Sequence, residues 1–219
     1  MTSILDSVNA AYRGRLPSRA DGKARRRKIL DAAHQIIIRQ GVQGVKHRAV
    51  AEEADVPLAA TTYYFPDIHA LLHDAFLDFY ERNIYQLQAL ESQGNQFISS
   101  LREESPVKTG KLDVSQVLTD LIFQHIQAQV ANRDDRIIER AFRNESIRNE
   151  QMANLVNSME LQQLKAIEEF FRALKSENPE SDSRELMGLI LFLEHSLLAR
   201  YVCEKEAKIT IARFFKRIL

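Results

Sequence analysis

Glycine, proline, tryptophan and cysteine are all scarce in this chain. Its 219 residues include 7 Gly, 5 Pro, one Cys and no Trp. Few helix breakers, together with the absence of alternating runs of Val, Ile and Thr, favour helices over strands. Because 45% of the residues are hydrophobic, the chain can bury a substantial core. We therefore predict an all-α fold.

The sequence also offers little that suggests disulfides, secretion or membrane insertion. Cys203 has no second cysteine to pair with, which fits a reducing cytoplasm, and its place late in an apolar helical pattern predicts a packed thiol. The N-terminal stretch is interrupted by Asp6 and Asn9, unlike a secretory signal. The longest apolar run, 188–193, is too short to span a bilayer. We expect a cytoplasmic protein.

Signatures of catalysis and of metal binding are missing as well. The chain has no G-x-S-x-G, P-loop, G-x-G-x-x-G or H-E-x-x-H motif. Among its six histidines, only His69 and His73 stand at i and i+4, and no third ligand lies near them in sequence. We therefore expect no enzyme activity, no cofactor and no metal.

Net charge is zero overall, but the two signs are unevenly placed. Residues 1–65 carry 11 Lys and Arg against 6 Asp and Glu, whereas residues 66–219 carry 19 against 24. A basic N-terminal part and an acidic C-terminal part are expected when only the N-terminal part binds the phosphates of a nucleic acid. The alternative is a chance imbalance between solvated faces.

Apolar spacing predicts a succession of helices. We expect a short N-terminal helix over 3–15, with Arg13, Arg15 and Arg19 at and beyond its end. This segment either lies on DNA phosphate or is a mobile arm. Further helices are predicted at 22–40, 47–54, 58–64, 66–102, 114–131, 134–147, 149–176, 183–203 and 206–217. Pro66 is expected to be the first residue of its helix.

The most informative stretch is 47–65. Two very short helices are joined by a tight turn at 55–57 and followed by an aromatic cluster. That arrangement is typical of a helix-turn-helix, which lays its second helix in the major groove of DNA. The basic run 23–28, which contains Arg25, Arg26, Arg27 and Lys28, is expected to add non-specific attraction to phosphate.

Several short motifs occur in a fixed order: R-K-I-L-D-A-A at 27–33, Gly41, R-A-V-A-E-E-A at 48–54, V-P-L-A-A-T-T-Y-Y-F at 56–65 and A-L-L at 70–72. Together they resemble the TetR family of bacterial transcription regulators, over residues 25–80. The remaining residues agree with that family only in being helical and of suitable length. In four places the chain departs from the family's usual residues, with Lys46 for a capping Thr, Ala59 for Gly, Thr62 for an aromatic and Ile68 for Lys.

The resemblance implies a homodimer in which each subunit has a three-helix DNA-binding head and a larger C-terminal helical bundle. On this basis we expect an N-terminal extension at 1–21, the head at 22–65 and a ligand-binding and dimerisation domain at 66–219. In such proteins, binding of a small effector typically spreads the two heads and releases the operator.

Candidate DNA contacts lie on the two short helices. Small residues at the start of the second helix allow close approach to phosphate, threonine and tyrosine hydroxyls can donate to DNA, and the basic residues attract the backbone. The candidates are Lys46, His47, Arg48, Leu58, Ala59, Ala60, Thr62, Tyr63 and Tyr64. One side of the helix must pack inward, and we expect Thr61 or Phe65 to be structural. Tyr63 and Tyr64 could instead be core aromatics.

Candidate effector contacts are polar breaks and Met or aromatic positions within apolar helices, although such positions also occur in ordinary cores. They are Phe123, His125, Phe142, Met152, Met159, Glu194 and His195. Candidate dimer contacts lie on the two long amphipathic helices 149–176 and 183–203, which could form a four-helix bundle with a second subunit. They are Leu155, Leu161, Leu164, Ile167, Phe171, Leu193 and Leu197.

We therefore interpret the sequence as a ligand-responsive transcriptional repressor. It would bind a palindromic DNA operator as a homodimer and be released by a small, largely apolar effector. One alternative is an all-helical small-molecule-binding or catalytic protein whose head no longer reads DNA. A second alternative is an architectural protein that binds DNA without sequence preference.

Overall fold

The computed structural model describes residues 12–103 and 113–219. In these two stretches the chain forms nine α-helices, one 3-10 turn at Val42–Gly44 and no strands. The helices are α1 Ala20–Gln40, α2 His47–Glu53, α3 Leu58–Tyr64, α4 Ile68–Glu103, α5 Val114–Ala131, α6 Arg133–Ser146, α7 Glu150–Ala173, α8 Pro179–Leu198 and α9 Glu204–Ile218. The all-α prediction, with a helix-turn-helix head ahead of a larger helical part, is confirmed.

The chain divides into two compact units. The first comprises the residues up to Tyr85 and Asp134–Val156, and the second comprises Gln86–Arg133 and Asn157–Leu219. The sequence-based domain division at residues 21 and 65 stays a prediction.

In the first unit, α1 packs on α2, and α2 packs on α3. The apolar stripe predicted on α1 is buried, since Ile29, Ala32, Ala33, Ile36 and Ile37 are all at most 4% exposed. Phe142 of α6 is fully buried against Phe76 of α4, edge to face, with ring centroids 5.1 Å apart. These contacts hold the short helices α2 and α3 on a larger apolar base, because helices of seven residues are not stable alone.

In the second unit, α9 packs on α5 and α8, and α5 packs on α8. Fully buried aromatic and aliphatic side chains fill the centre, including Leu118, Ile126, Phe171, Leu193, Ile211 and Phe215. Among the described residues, no helix has the length and apolar character needed to cross a bilayer.

Some helix ends differ from prediction for identifiable reasons. Helix α4 begins at Ile68 rather than Pro66, because the Asp67 carboxylate accepts the Ala70 N–H at 2.8 Å and caps the first turn. Helix α8 begins at Pro179 rather than at the predicted residue 183, because the missing N–H of a proline costs nothing at the first helical position. Helix α8 ends at Leu198, and Arg200 then takes a left-handed φ of 61°.

The early end of α8 also overturns the prediction for Cys203. This residue follows α8, is exposed, and caps α9 by accepting an N–H while Glu206 accepts its own N–H at 3.0 Å. The hydrogen bonds hold the pKa of Glu206 below its ordinary value. The thiol is therefore a helix cap at the surface rather than a packed core group.

The predicted helix over 3–15 is wrong for the residues that can be described. Residues 3–11 lie outside the described part of the chain, and residues 12–15 are not helical. Their backbone amides donate to Asp74 and to the Tyr64 carbonyl instead of to one another. Long-range partners therefore replace the helical hydrogen bonds that the apolar spacing suggested.

Candidate nucleic-acid interface

Helix α3 has one buried and one exposed face. Thr61 and Phe65 are fully buried, in agreement with their predicted structural role. On the opposite face, Leu58 is 44% exposed and Tyr63 is 54% exposed, and Ala59 and Thr62 lie beside them at the surface. Ala60 is half-buried at the edge of this face. The helix therefore presents a continuous outer surface of the size that a DNA groove accepts.

Tyr64 does not belong to that outer surface. Its side chain is only 4% exposed, and its ring packs edge to face against Tyr63 with centroids 5.1 Å apart. Of the two tyrosines, only Tyr63 has a ring that is accessible to a partner. Tyr64 therefore leaves the set of candidate contacts and joins Thr61 and Phe65 as support, as the core-aromatic alternative proposed.

His47 joins the two helices of the motif. The Thr61 hydroxyl donates to the Leu58 carbonyl at 2.8 Å, so its oxygen is left to accept from His47 Nδ1 at 3.2 Å. The ring is thus turned toward α3 rather than outward. We assign His47 to fixing the angle between α2 and α3, while its neighbours Lys46 and Arg48 are both exposed.

The basic residues of the head fall into two groups. Arg26 pairs with buried Asp74 at 2.6 Å, Arg27 pairs with Asp31 and Asp78, and Arg39 pairs with Glu53. Carboxylates of the same chain therefore neutralise these three guanidinium groups; of these carboxylates, Asp74 and Asp78 are buried. Other cations are exposed and form no ion pair with the described residues: Arg15, Arg19, Lys23, Arg25, Lys28, Lys46 and Arg48. The predicted basic run is thus partly structural, and only the second group is available to phosphate.

A polar network centred on the buried side chains of His34 and Asp78 connects α1 with α4. One nitrogen of His34, Nε2, donates to the Ala75 carbonyl at 2.8 Å, which leaves Nδ1 to accept from Arg82 at 2.5 Å. Asp31 and Asp78 lie close to His34: one oxygen of each carboxylate and one ring nitrogen of His34 are all within 4.8 Å of one another, a spacing that could suit a metal ion. Arg82 already occupies Nδ1, and Arg27 contacts Asp78 at 2.6 Å. The group is therefore an ion-pair network rather than a cation site, and neither His69 nor His73 belongs to it.

The burial of His34 in this network predicts that the stability of the folded protein depends on pH. Burial, reinforced by the Arg82 charge, holds the pKa of His34 below its ordinary value, so the ring is neutral in the folded state. In the unfolded state the His34 ring binds a proton more readily than in the folded state. The contribution of neutral His34 to the unfolding free energy is therefore fully present above about pH 6.5 and is lost as the pH falls. We expect the urea midpoint of the wild type to fall more between about pH 7.5 and about pH 5.5 than that of His34→Gln. Equal falls in both proteins would contradict this assignment.

The candidate effector residues do not all lie in one unit. Phe142 and Met152 belong to the first unit, where both are buried at no more than 4% exposure. The others belong to the second unit, where Glu194 is buried, His195 is exposed, and Phe123, His125 and Met159 are half-buried. A surface hollow of about 550 Å³ runs along Gln88 to Ser100 of α4, and it contains none of the candidates.

The candidate dimer residues also separate by burial. Phe171 and Leu193 are at most 1% exposed and belong to the core of the second unit, so they leave the candidate interface. Leu161 is 64% exposed, and four others are half-buried: Leu155, Leu164, Ile167 and Leu197. Phe192 was not among the candidates, but it is 51% exposed on α8 beside the open surface at Gly188.

Sequence reasoning missed the role of Asp74. The signal was present, because Asp74 and Asp78 are carboxylates at i and i+4 inside the mainly apolar helical run 70–80, which also contains His73. Buried carboxylates require partners. The basic run 23–28 is a source of such partners, so the pattern could have indicated that part of the run is internal, but not which arginines.

Residues 29–75 match the family of bacterial regulatory proteins, tetR family. A comparison with curated proteins gave no match. A solved transcriptional regulator from Rhodococcus sp. Rha1 has a TM-score of 0.68 at 13% identity, covering 89% of this chain and 95% of that one.

Two further solved structures are similar in the same way. A TetR-like transcriptional regulator from Rhodococcus sp. RHA1 gives a TM-score of 0.64 at 14% identity, covering 93% of this chain and 97% of that one. A TetR family member from Streptomyces coelicolor A3 gives 0.54 at 20% identity, covering 87% and 97%. At these identities the likeness shows the fold. Residues 29–75 therefore carry the sequence pattern of the tetR family, and the chain shares the helical fold of these solved regulators.

Proposed function

We propose that this protein is a ligand-responsive transcriptional repressor that binds a palindromic operator as a homodimer. The observation that carries the proposal is the outer face of α3, where exposed Leu58, Thr62 and Tyr63 lie on the helix that follows the exposed cations Lys46 and Arg48. Apolar and hydroxyl groups suit base edges, whereas unpaired cations suit phosphate.

A homodimer is supported by the surface of the second unit. Leu161 of α7 and Phe192 of α8 are each more than half exposed, and covering them with a second subunit would bury apolar surface favourably. At Gly188 on α8, nothing lies within 4 Å of where a Cβ would be, so a second helix has room to approach. We propose that α7 and α8 of two subunits form a four-helix bundle.

A small, largely apolar effector is proposed to bind within the second unit. Phe123, His125 and Met159 are half-buried there, so their side chains combine apolar surface with access. Phe142 and Met152 are left out, because they fill the core of the first unit. The effector would favour a separation of the two heads that no longer matches the operator.

Selection of bound sites from a random DNA pool tests the proposed function. A homodimer is expected to enrich palindromes whose half-sites lie about 34–36 Å apart, one helical turn of B-DNA. Enrichment of bound DNA without any common sequence would favour an architectural protein. If the protein shows no DNA binding that weakens as salt rises, the result would instead favour a helical protein whose head does not bind DNA.

Removal of one unpaired cation should have a defined effect on DNA binding. We expect Arg48→Ala to weaken binding to the selected site and to reduce the slope of log affinity against log salt by about 1 per subunit. Arg39→Ala is the matched control, because Arg39 is also exposed but is paired with Glu53. Fluorescence anisotropy at several salt concentrations measures both slopes, and equal slopes for the two variants would remove Arg48 from the interface.

A further inference from the structure

One buried carboxylate binds the backbone of two residues that precede α1. Asp74 of α4 is fully buried, and its two oxygens accept the backbone N–H groups of Arg13 at 2.8 Å and Gly14 at 2.9 Å. Arg26 donates to the same carboxylate at 2.6 Å and lies over the Tyr12 ring, 4.7 Å from its centroid. We call residues Tyr12, Arg13, Gly14 and Arg15 the anchored segment.

Gly14 allows the anchored segment to lie this close to the head. A Cβ at this position would come 2.6 Å from a ring carbon of Phe65 and 2.7 Å from Asp74 Oδ2. Phe65 is fully buried and cannot move aside without disturbing the core. At the other end, the Tyr12 hydroxyl donates to Glu81 at 2.8 Å, and burial with this carboxylate raises the pKa of Tyr12. The segment is therefore held at three successive points.

The anchored segment ends on the recognition helix. The Arg15 N–H donates to the carbonyl of Tyr64 at 2.8 Å, which satisfies one of the free carbonyls at the end of α3. The Arg15 guanidinium lies 4.3 Å from the centroid of the Tyr63 ring, and both side chains are exposed. Arg15 forms no ion pair with the described residues. A cation is thus held on the outer face of α3 without an anion to neutralise it.

We propose that the anchored segment is part of the DNA-binding surface and that Arg15 contacts a DNA phosphate beside the C-terminal end of α3. The proposal rests on the proposed function. A guanidinium stacked on Tyr63 loses little conformational freedom when it binds, and its planar N–H groups match phosphate geometry. Asp74 acts as the positioning residue, because its hydrogen bonds fix the backbone that carries Arg15.

The test compares variants on a short duplex that carries the site selected by the wild type. Arg15→Ala is expected to reduce the slope of log affinity against log salt by about 1 per subunit, whereas Arg15→Lys keeps the charge and the slope. Gly14→Ala retains every charge but displaces the segment. It is expected to weaken binding and to speed trypsin cleavage after Arg13 and Arg15.

Arg213→Ala controls for net charge, because Arg213 is an exposed arginine of the second unit. An unchanged salt slope in Arg15→Ala, or the same change in Arg213→Ala, would overturn the proposal even if the wild type binds its selected site normally. If Gly14→Ala binds DNA like the wild type while trypsin cleaves its segment faster, the anchoring is unnecessary for binding and the proposal also fails. Failure of the wild type to bind any duplex would reject the proposed function instead.

Discussion

Asp74→Ala is expected to destabilise the folded protein by about 3–5 kcal/mol, because it leaves a buried arginine without its partner. The Arg26 side chain is only 11% exposed, and its contact with Asp74 is 2.6 Å. The substitution also removes the acceptor for the Arg13 and Gly14 amides, which then lose their hydrogen bonds in a partly buried position. Urea unfolding at one fixed protein concentration measures the change.

Asp31→Ala is the matched control for this experiment. Asp31 also pairs with an arginine of α1, Arg27, but its side chain is 50% exposed. Exposed ion pairs contribute at most about 1 kcal/mol, since water competes with both partners. A urea midpoint for Asp74→Ala no lower than that for Asp31→Ala would show that the buried Asp74–Arg26 pair does not stabilise the fold as expected.

Phe142→Ala is expected to cost about 3–5 kcal/mol of unfolding free energy. The ring is fully buried and meets Phe76 edge to face, so truncation removes apolar burial, an aromatic contact and filled volume together. The result would separate two interpretations of this residue, because the sequence suggested a wall of the effector pocket. A side chain lining a hydrated pocket would cost well under about 2 kcal/mol on truncation.

The control for Phe142 lies five residues further along the chain. Ile147 is 83% exposed, so Ile147→Ala should change the unfolding free energy by no more than about 0.5 kcal/mol. Denaturant unfolding of both variants and the wild type, with the dependence on urea compared for each, gives the two differences. Equal destabilisation by both truncations would mean that Phe142 does not pack as described.

The helical architecture was predictable from local patterns. Helices α3 and α5 have the bounds that apolar spacing predicted, 58–64 and 114–131. Periodicity works there because it reports which positions face a core, whatever that core is made of. Helix starts were less predictable. Asp67 caps α4 and Pro179 opens α8, but each residue has this role only because of the backbone conformation around it, which the sequence does not show.

The candidate site was predictable only in part. The sequence located α2 and α3 and recognised that one side of α3 must face inward, but it could not decide that Tyr63 is exposed and Tyr64 buried. Nor could it distinguish Arg25 from Arg26, which are adjacent and alike in chemistry. The difference arises from Asp74, 48 residues further along, and a one-dimensional pattern does not show which distant carboxylate will meet which arginine.

The exposure of Cys203 has a practical consequence. As the chain's sole cysteine, it is a ready-made attachment point for one fluorophore or spin label per subunit, with no competing thiols to remove. A label there would sacrifice the thiol's part in the cap of α9 but leave the Glu206 carboxylate on the backbone N–H. In the proposed homodimer, the distance between the two labels could be measured with and without DNA, with no substitution in the protein.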